Sequence, residues 1–365
     1  MAFTPERDGN TIRRVAATTP VNPRADGRVR WGVLGVAKIA TEQVIPAMQQ
    51  GQWSEITAIA SRDAGRARAH ATALGIPRSY GSYEALLDDP DVEAIYNPLP
   101  NHLHVPWTIR ALAAGKHVLC EKPIALSVAD AVQLRDARDR AGRNVQEAFM
   151  VRSHPQWLLA RELVRQGRIG TLRSVLGYFS YFNRDAANIR NNVDIGGGAL
   201  WDIGCYLIQT SRMVFEAEPR RVIGLLERDP DMKIDRLTSL MLDFDRGHSV
   251  GTCSTQAVAY QRVHIVGTAG RIEIEVPFNA PSYQPCRVFI DEGFVLSPER
   301  AGSAVETLQT IALGQCNQYT IQGDLFSRSI RDGTPAPYPL EDSIANMKVI
   351  EAVFRSAAEA RWIEP

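Results

Sequence analysis

Three side chains in this sequence have the chemistry for proton transfer: Lys122, Asp202 and Tyr206. Lys122 sits in the phrase Glu121-Lys122-Pro123, directly after the apolar run 116–120. That run reads as a buried strand, and a lysine at the C-terminal mouth of a parallel-sheet strand points into the crevice where such sheets bind ligands. Asp202 and Tyr206 follow the glycines Gly196, Gly197 and Gly198, in a stretch with helical periodicity up to residue 215. Spaced i, i+4, they share one helix face. A carboxylate and a phenol so placed make either a structural hydrogen bond between domains or a pair for proton exchange at a carbinol. A tyrosine titrates near pH ~10, too high for a base at neutrality. An ammonium within about 4–6 Å lowers such a pKa by about 1–3 units. Lys122 is the obvious ammonium, and Asp202 would orient substrate or bond Lys122. Hydride transfer would then fall to a nicotinamide.

Such residues need elements that bring them together. Residues 29–35 read as a strand entering a glycine turn, and residues 36–40 open a helical pattern. The stretch Gly35-Val36-Ala37-Lys38-Ile39-Ala40 fits the G-x-G-x-x-G/A dinucleotide fingerprint, with Ala37 in place of the second glycine. Small residues there let backbone approach a pyrophosphate at a helix N-terminus; a plain tight turn at Gly35 is the alternative. A second strand, 55–60, ends at Ser61-Arg62-Asp63, with Arg66 one helical turn further on. A hydroxyl and two guanidinium groups suit a 2′-phosphate, which favours NADP over NAD. Asp63 reads either as a ribose ligand, favouring NAD, or as a helix N-cap.

The strand 92–97 leads into the proline-punctuated loop 98–104. Leu99, Pro100, Asn101 and His104 are expected to line the cofactor there, with simple packing or capping the alternative for His104. Glu121, Lys122, Tyr83, Arg152 and Arg190 complete the expected cofactor contacts. Strands alternating with helices over 29–150 imply a doubly wound parallel sheet.

After residue 151 the rhythm changes. A helix at 155–166 precedes strand-like runs at 172–182, 221–226, 237–244, 249–256, 263–266, 271–276 and 287–290. Glycine turns at 245–247 and 268–270 suggest a mostly antiparallel sheet. Its patchy alternation suits one face under helices and the other against a second subunit, in a homodimer or homotetramer. Helices near 316–331 and 340–360 close the chain. The expected division is an arm at 1–28, a dinucleotide-binding domain at 29–150, and a substrate and oligomerisation domain at 151–365.

Composition narrows the classes. Lys and Arg number 41 and so do Asp and Glu, so nothing favours nucleic acid or an anionic membrane. The five cysteines are scattered with no zinc-site spacing, which suits reduced thiols in a cytoplasmic protein with no metal. Ile12-Arg13-Arg14-Val15 faintly suggests a twin-arginine signal, but the run 16–24 behind it is too short and polar for export. An extended, proline-punctuated arm is the preferred reading of residues 1–28, either disordered or laid along another part of the protein.

Taken together, residues 35–40, 100–104, 113–118, 121–123 and 196–206 resemble the Gfo/Idh/MocA oxidoreductase family. The resemblance implies an N-terminal Rossmann domain and a C-terminal α/β domain with a large open sheet. It also implies that Lys122 and Asp202 lie in the active site beside the nicotinamide. Tyr206 stands where many members carry histidine; the glucose–fructose oxidoreductase and dihydrodiol/xylose dehydrogenase branches are similar in having tyrosine. The former also has a proline-containing arm that wraps its NADP and makes it nondissociable, and residues 1–28 resemble it. Ser61 and Arg66 match that branch's serine and lysine for the 2′-phosphate. Ala37, the lack of a convincing signal peptide and the residues around Phe182-Asn183-Arg184 depart from it. The implied activity is oxidation of a cyclic aldose at C1 to an aldonolactone, with a second sugar reduced at the same site. An aldose or dihydrodiol dehydrogenase with exchangeable NADP is the alternative. A non-enzymatic NADP-binding regulator would be expected to lack Lys122, Asp202 or Tyr206.

Overall fold

The computed structural model describes residues 27–292 and 308–365. The arm expected at 1–28 therefore lies, up to residue 26, outside the described residues.

The first sheet has six parallel strands: β1 (Val29–Leu34), β2 (Ser54–Ala60), β3 (Arg78–Tyr80), β4 (Ala94–Asn97), β5 (His117–Cys120) and β6 (Val145–Glu147). Their order is β3-β2-β1-β4-β5-β6. The order reverses between β1 and β4, and at that point a crevice opens beyond the strands' C-terminal ends. Both faces of the sheet are buried, as its apolar runs require. Trp31, Val33, Ile59, Tyr96 and Leu119 pack on one side, and Leu34, Ala60, Ile95, Val118 and Cys120 on the other.

The second sheet has eight strands: β7 (Leu172–Phe182), β8 (Arg221–Arg228), β9 (Asp235–Phe244), β10 (Gly247–Ser254), β11 (Gln256–Gly267), β12 (Arg271–Ile274), β13 (Cys286–Asp291) and β14 (Leu308–Leu313). Its order is β14-β13-β12-β11-β7-β10-β9-β8, and every pairing except β7 with β10 is antiparallel. The α/β class and the two expected sheet types are thus both present. The helix Cys205–Phe215 covers one face of this sheet. It sits so close that a Cβ at Gly177 would come within 2.6 Å of the Leu207 side chain. The opposite face presents Met241, Val250 and Leu176 as one cross-strand row.

Late elements cross the division expected at residue 150, the helix Leu340–Glu359 through Glu351 to the Val128 N–H and a second helix more extensively. The helix Gln318–Arg331 packs on the first sheet, with Phe326 against Trp31 at 5.7 Å between ring centroids. Trp31 Nε1 donates to Ser327 Oγ at 3.0 Å, and Arg331 grips both oxygens of Glu93 at 2.7 Å. This late helix thus supplies a layer of the first sheet.

Candidate active site

A cavity of about 1050 Å³ opens between the C-terminal ends of the first sheet and the covered face of the second. The first-sheet wall is made of short contiguous stretches. The turn Gly35, Val36, Ala37, Lys38, Ile39 lines it, followed by Ser61, Arg62 and Arg66 at the end of β2, and by Tyr83. Leu99, Pro100, Asn101 and His104 add the loop after β4, and Glu121 and Lys122 the end of β5.

Gly35 takes a φ of 84°, and a Cβ there would approach Leu99 at 3.1 Å, so this is a position for glycine. The chain then enters a π-helical turn, Ala40–Val44. Asp63 Oδ1 accepts the Arg66 backbone N–H at 3.0 Å and caps the helix Ala64–Leu74. One carboxylate oxygen is thereby engaged as an N-cap, and Asp63 lines the cavity together with Ser61, Arg62 and Arg66 at the strand end. A glycine turn beside a hydroxyl and two exposed guanidinium groups fits a dinucleotide carrying a 2′-phosphate.

His104 lines this wall in a supporting role. Its two ring nitrogens lie 2.7 Å from the Pro123 and Leu99 carbonyl oxygens, and it is wholly buried. Burial pulls its pKa down to about 4. The ring ties the loop after β4 to the Glu121-Lys122-Pro123 turn, which is the packing alternative weighed from the sequence.

Facing that wall is a charge network around the buried Asp202, which Lys122 reaches from the end of β5. Lys122 Nζ donates to the Asp202 carbonyl at 2.7 Å and to Asp202 Oδ1 at 3.0 Å. Asp202 Oδ2 accepts from the Tyr181 hydroxyl at 2.6 Å and from Arg190 Nε at 3.0 Å. Burial alone would raise the Asp202 carboxyl, but Arg190 and Lys122 outweigh it and hold the pKa far below the ordinary range. Burial likewise opposes charge on Lys122, and the Asp202 carboxylate overcomes it, so the lysine pKa is raised. Arg190, expected as a cofactor ligand, does line the cavity, with its Nε committed to Asp202.

Tyr206 departs from expectation in its electrostatics. Its hydroxyl points to Met150 Sδ at 3.4 Å, and its ring meets Phe149 and Phe179 edge-on at 5.1 and 5.9 Å. Lys122 Nζ lies 5.1 Å from the ring centroid, over its face, with Asp202 engaging the charge. Burial, then the nearby Glu121, push the phenol well above its ordinary pKa. The lowering by Lys122 that the sequence suggested is therefore not found, and Asp202 and Tyr206 do not pair with one another. Asp202 lies within a π-helical turn, Leu200–Gly204, and is drawn to Lys122 and Arg190 instead.

Arg152 is a correction. Its guanidinium pairs with Asp342 and lies 4.1 Å over the Tyr338 ring, and the residue does not line the cavity.

One cavity-lining residue and two that fasten the segments behind it were missed from sequence. Tyr181 had a signal: in the run Tyr178-Phe179-Ser180-Tyr181, strand alternation puts Phe179 and Tyr181 on the cavity face. Asp235 accepts the Leu200 N–H at 2.7 Å and so fastens the start of the Asp202 segment; burial pushes it up to about 6. Gly198 makes room for it, since a Cβ there would lie 2.0 Å from Asp235 Oδ1. Glu147 accepts the Ile124 N–H at 2.8 Å beneath the lysine turn, and burial pushes it up to about 7. Neither carboxylate stands in a recognisable motif.

Comparison with known proteins agrees with this architecture. Residues 29–149 match the oxidoreductase family GFO_IDH_MocA, NAD-binding Rossmann fold, and residues 157–273 match the GFO/IDH/MocA C-terminal domain. An uncharacterised oxidoreductase, ORF334 of Rhizobium meliloti, is 48% identical over 92% of this chain and 98% of its own. D-xylose 1-dehydrogenase (NADP(+)) 2 of Haloferax volcanii is 35% identical over 92% of this chain and 99% of its own. Among solved structures, the 3-ketoreductase KijD10 of Actinomadura kijaniata, in complex with NADP and TDP-benzene, has a TM-score of 0.82 at 29% identity, covering 90% and 98% of the two chains. Aldose-aldose oxidoreductase from Caulobacter crescentus, complexed with glycerol, also has a TM-score of 0.82, at 27% identity over 93% and 100%. With both halves of the cavity accounted for in this way, the chain belongs to the Gfo/Idh/MocA family of oxidoreductases.

Proposed function

We propose that the protein is an NADP-dependent oxidoreductase of cyclic sugars that interconverts the C1 carbinol of an aldose and the lactone carbonyl. The observation that carries this reading is the Lys122–Asp202 ion pair beside the Tyr206 ring in one cavity with Ser61, Arg62 and Arg66. The sugar enzymes among the relatives support the substrate class.

The dinucleotide supplies the hydride acceptor or donor. The Gly35–Ile39 turn would hold its pyrophosphate, and Ser61, Arg62 and Arg66 its 2′-phosphate. An ammonium has three donors, and Asp202 takes two of those on Lys122. The remaining one is directed at the reacting sugar oxygen. Tyr206 exchanges the proton of that oxygen, leaving a sulfur, a weak acceptor, for a better partner. Arg190 and Tyr181 hold Asp202, and through it the lysine, in place. With Tyr206 and Lys122 both protonated at neutrality, the site is set to donate to a carbonyl. It accepts a proton from a carbinol more readily as pH rises.

If the arm at 1–28 retains the cofactor, the same site would reduce a second sugar after oxidising the first. The test is to purify the protein without added NADP, denature it, and assay the supernatant for NADP(H). Aldose consumption is measured in parallel, with and without added NADP. Bound cofactor and turnover between two sugars support the two-sugar cycle; a cofactor-free protein needing added NADP leaves an ordinary aldose dehydrogenase. No NADP reduction with any aldopentose or aldohexose would sink both.

We assign the protein to the cytoplasm and its uncovered sheet face to a second copy of the chain. Leu176 and Val250 on that face are 42% and 37% exposed. Leu176→Glu should shift the sedimentation coefficient to that of a monomer, and an unchanged value would refute the assignment of this face.

A further inference from the structure

Outside the cavity, two thiols and an imidazole meet at one point. His154 is wholly buried at the start of the helix Pro155–Arg165. Its Nε2 lies 3.4 Å from Cys316 Sγ and 4.0 Å from Cys286 Sγ. The sum of those distances, 7.4 Å, is the widest separation the two sulfurs can have. His154 Nδ1 accepts the Gln156 N–H at 3.2 Å, so the ring's proton sits on Nε2 and faces the sulfurs. That tautomer excludes a metal ion at Nε2, which would need the nitrogen's lone pair. It suits donation of a hydrogen bond to a thiolate.

The two thiols differ in access and in freedom. Cys286 is buried at the start of β13, whereas Cys316 is partly exposed. Cys316 lies in the short connection between β14, which ends at Leu313, and the helix that begins at Gln318. Closing the remaining gap requires no strand or helix at Cys316 to break. Burial raises both thiols, so the contact that distinguishes Cys316 is geometric, its Sγ lying 3.4 Å from the imidazole Nε2.

We propose that Cys316 and Cys286 form an oxidant-reactive thiol pair that closes to a disulfide, with His154 stabilising the attacking thiolate. The oxidant is a hydroperoxide. The Cys316 thiolate attacks its terminal oxygen, an S–O bond forms, the O–O bond breaks, and the alcohol or water leaves with a proton. The Cys286 sulfur then attacks the sulfenic sulfur, the S–S bond forms, and the S–O bond breaks with loss of water. Two thiols and one peroxide thus yield one disulfide. Cys120, Cys205 and Cys253 are wholly buried and take no part.

The test treats the full-length protein with hydrogen peroxide, then denatures, alkylates and maps its peptides by mass spectrometry. The expected result is loss of two alkylatable thiols and a dithiothreitol-reversible Cys286–Cys316 cross-link. In Cys286→Ser the cross-link is absent and Cys316 is trapped by dimedone as the sulfenic acid. His154→Asn retains a capping side chain and closes the link several-fold more slowly. Two thiols that remain alkylatable, or Cys316 driven to sulfinic acid with Cys286 still free, would overturn the proposal. An unchanged rate in His154→Asn would overturn the role given to the imidazole.

Discussion

The two walls of the cavity are built by opposite means. On the first-sheet wall the ligand-facing groups come from contiguous stretches, and Arg62 and Arg66 are exposed at the end of one strand. On the other wall the buried Asp202 draws its partners from Lys122, Tyr181 and Arg190, which lie on three different segments. The two guanidinium groups of the first set are exposed, so the loss of one leaves no buried charge unpaired. The second set is one coupled unit, in which removing a charge strands its neighbours.

The largest effect should come from Lys122→Met. Asp202 keeps Tyr181 and Arg190, so the variant folds. The proton-handling contact is lost, and kcat falls by about 10²–10⁴-fold. Steady-state kinetics alongside a fluorescence titration with NADP separates this from lost binding. A variant within about tenfold of the parent would dissolve the claim that the coupled wall does the chemistry.

Tyr206 sharpens the contrast through pH. It must be protonated to donate in reduction and deprotonated to accept in oxidation. Burial and Glu121 raise its pKa, so the protonated form persists through neutral pH. Reduction should therefore be flat through neutrality, while oxidation climbs roughly tenfold per pH unit below the phenol's pKa. Tyr206→Phe keeps the ring's contacts with Phe149 and Phe179. It should lower turnover by about 10²-fold and remove the slope in oxidation. A profile for oxidation that falls with rising pH is incompatible with Tyr206 as the proton acceptor.

The same contrast explains what was legible in the sequence. The Gly35 turn, the Ser61–Arg66 cluster and Glu121-Lys122-Pro123 are local, and their strands announce themselves as apolar runs. The Asp202–Tyr206 spacing was also local, but its meaning was not. Helical periodicity put both on one face, whereas the π-helical turn and the pull of two cations sent Asp202 into the charge network. Tyr206 was left among aromatic rings. Asp235 and Glu147 were invisible because each is a polar residue at one end of a strand, and its partner is a backbone N–H tens of residues away. The return of Gln318–Arg331 to the first sheet rests on Trp31 and Glu93, contacts that span most of the sequence. The short edge strands β3 and β14 offer too few buried residues to produce a pattern.

On the first-sheet wall, Arg62→Ala and Arg66→Ala should each weaken NADP by about 10–100-fold, the value of one hydrogen bond to a charged group. Affinity for NAD should hardly move, and the double variant should depart from the product of the single effects, because the two side chains share the 2′-phosphate. Isothermal titration with both dinucleotides reads this directly. Equal losses for NADP and NAD would mean that these residues support the wall and do not contact the 2′-phosphate.

Arg152 should have the smallest effect on catalysis, and it tests where the walls end. Sequence reasoning assigned it to the cofactor, yet its guanidinium pairs with Asp342 and stacks on Tyr338. Arg152→Gln leaves Asp342 its second partner, Arg212, at 2.9 Å. The cost should be confined to stability, at about 1.5–3 kcal/mol for a lost charged hydrogen bond. Denaturant unfolding should register that loss while KM for NADP stays at the parent value. A raised KM with unchanged stability would return Arg152 to the cofactor and extend the first wall beyond the residues that now form it.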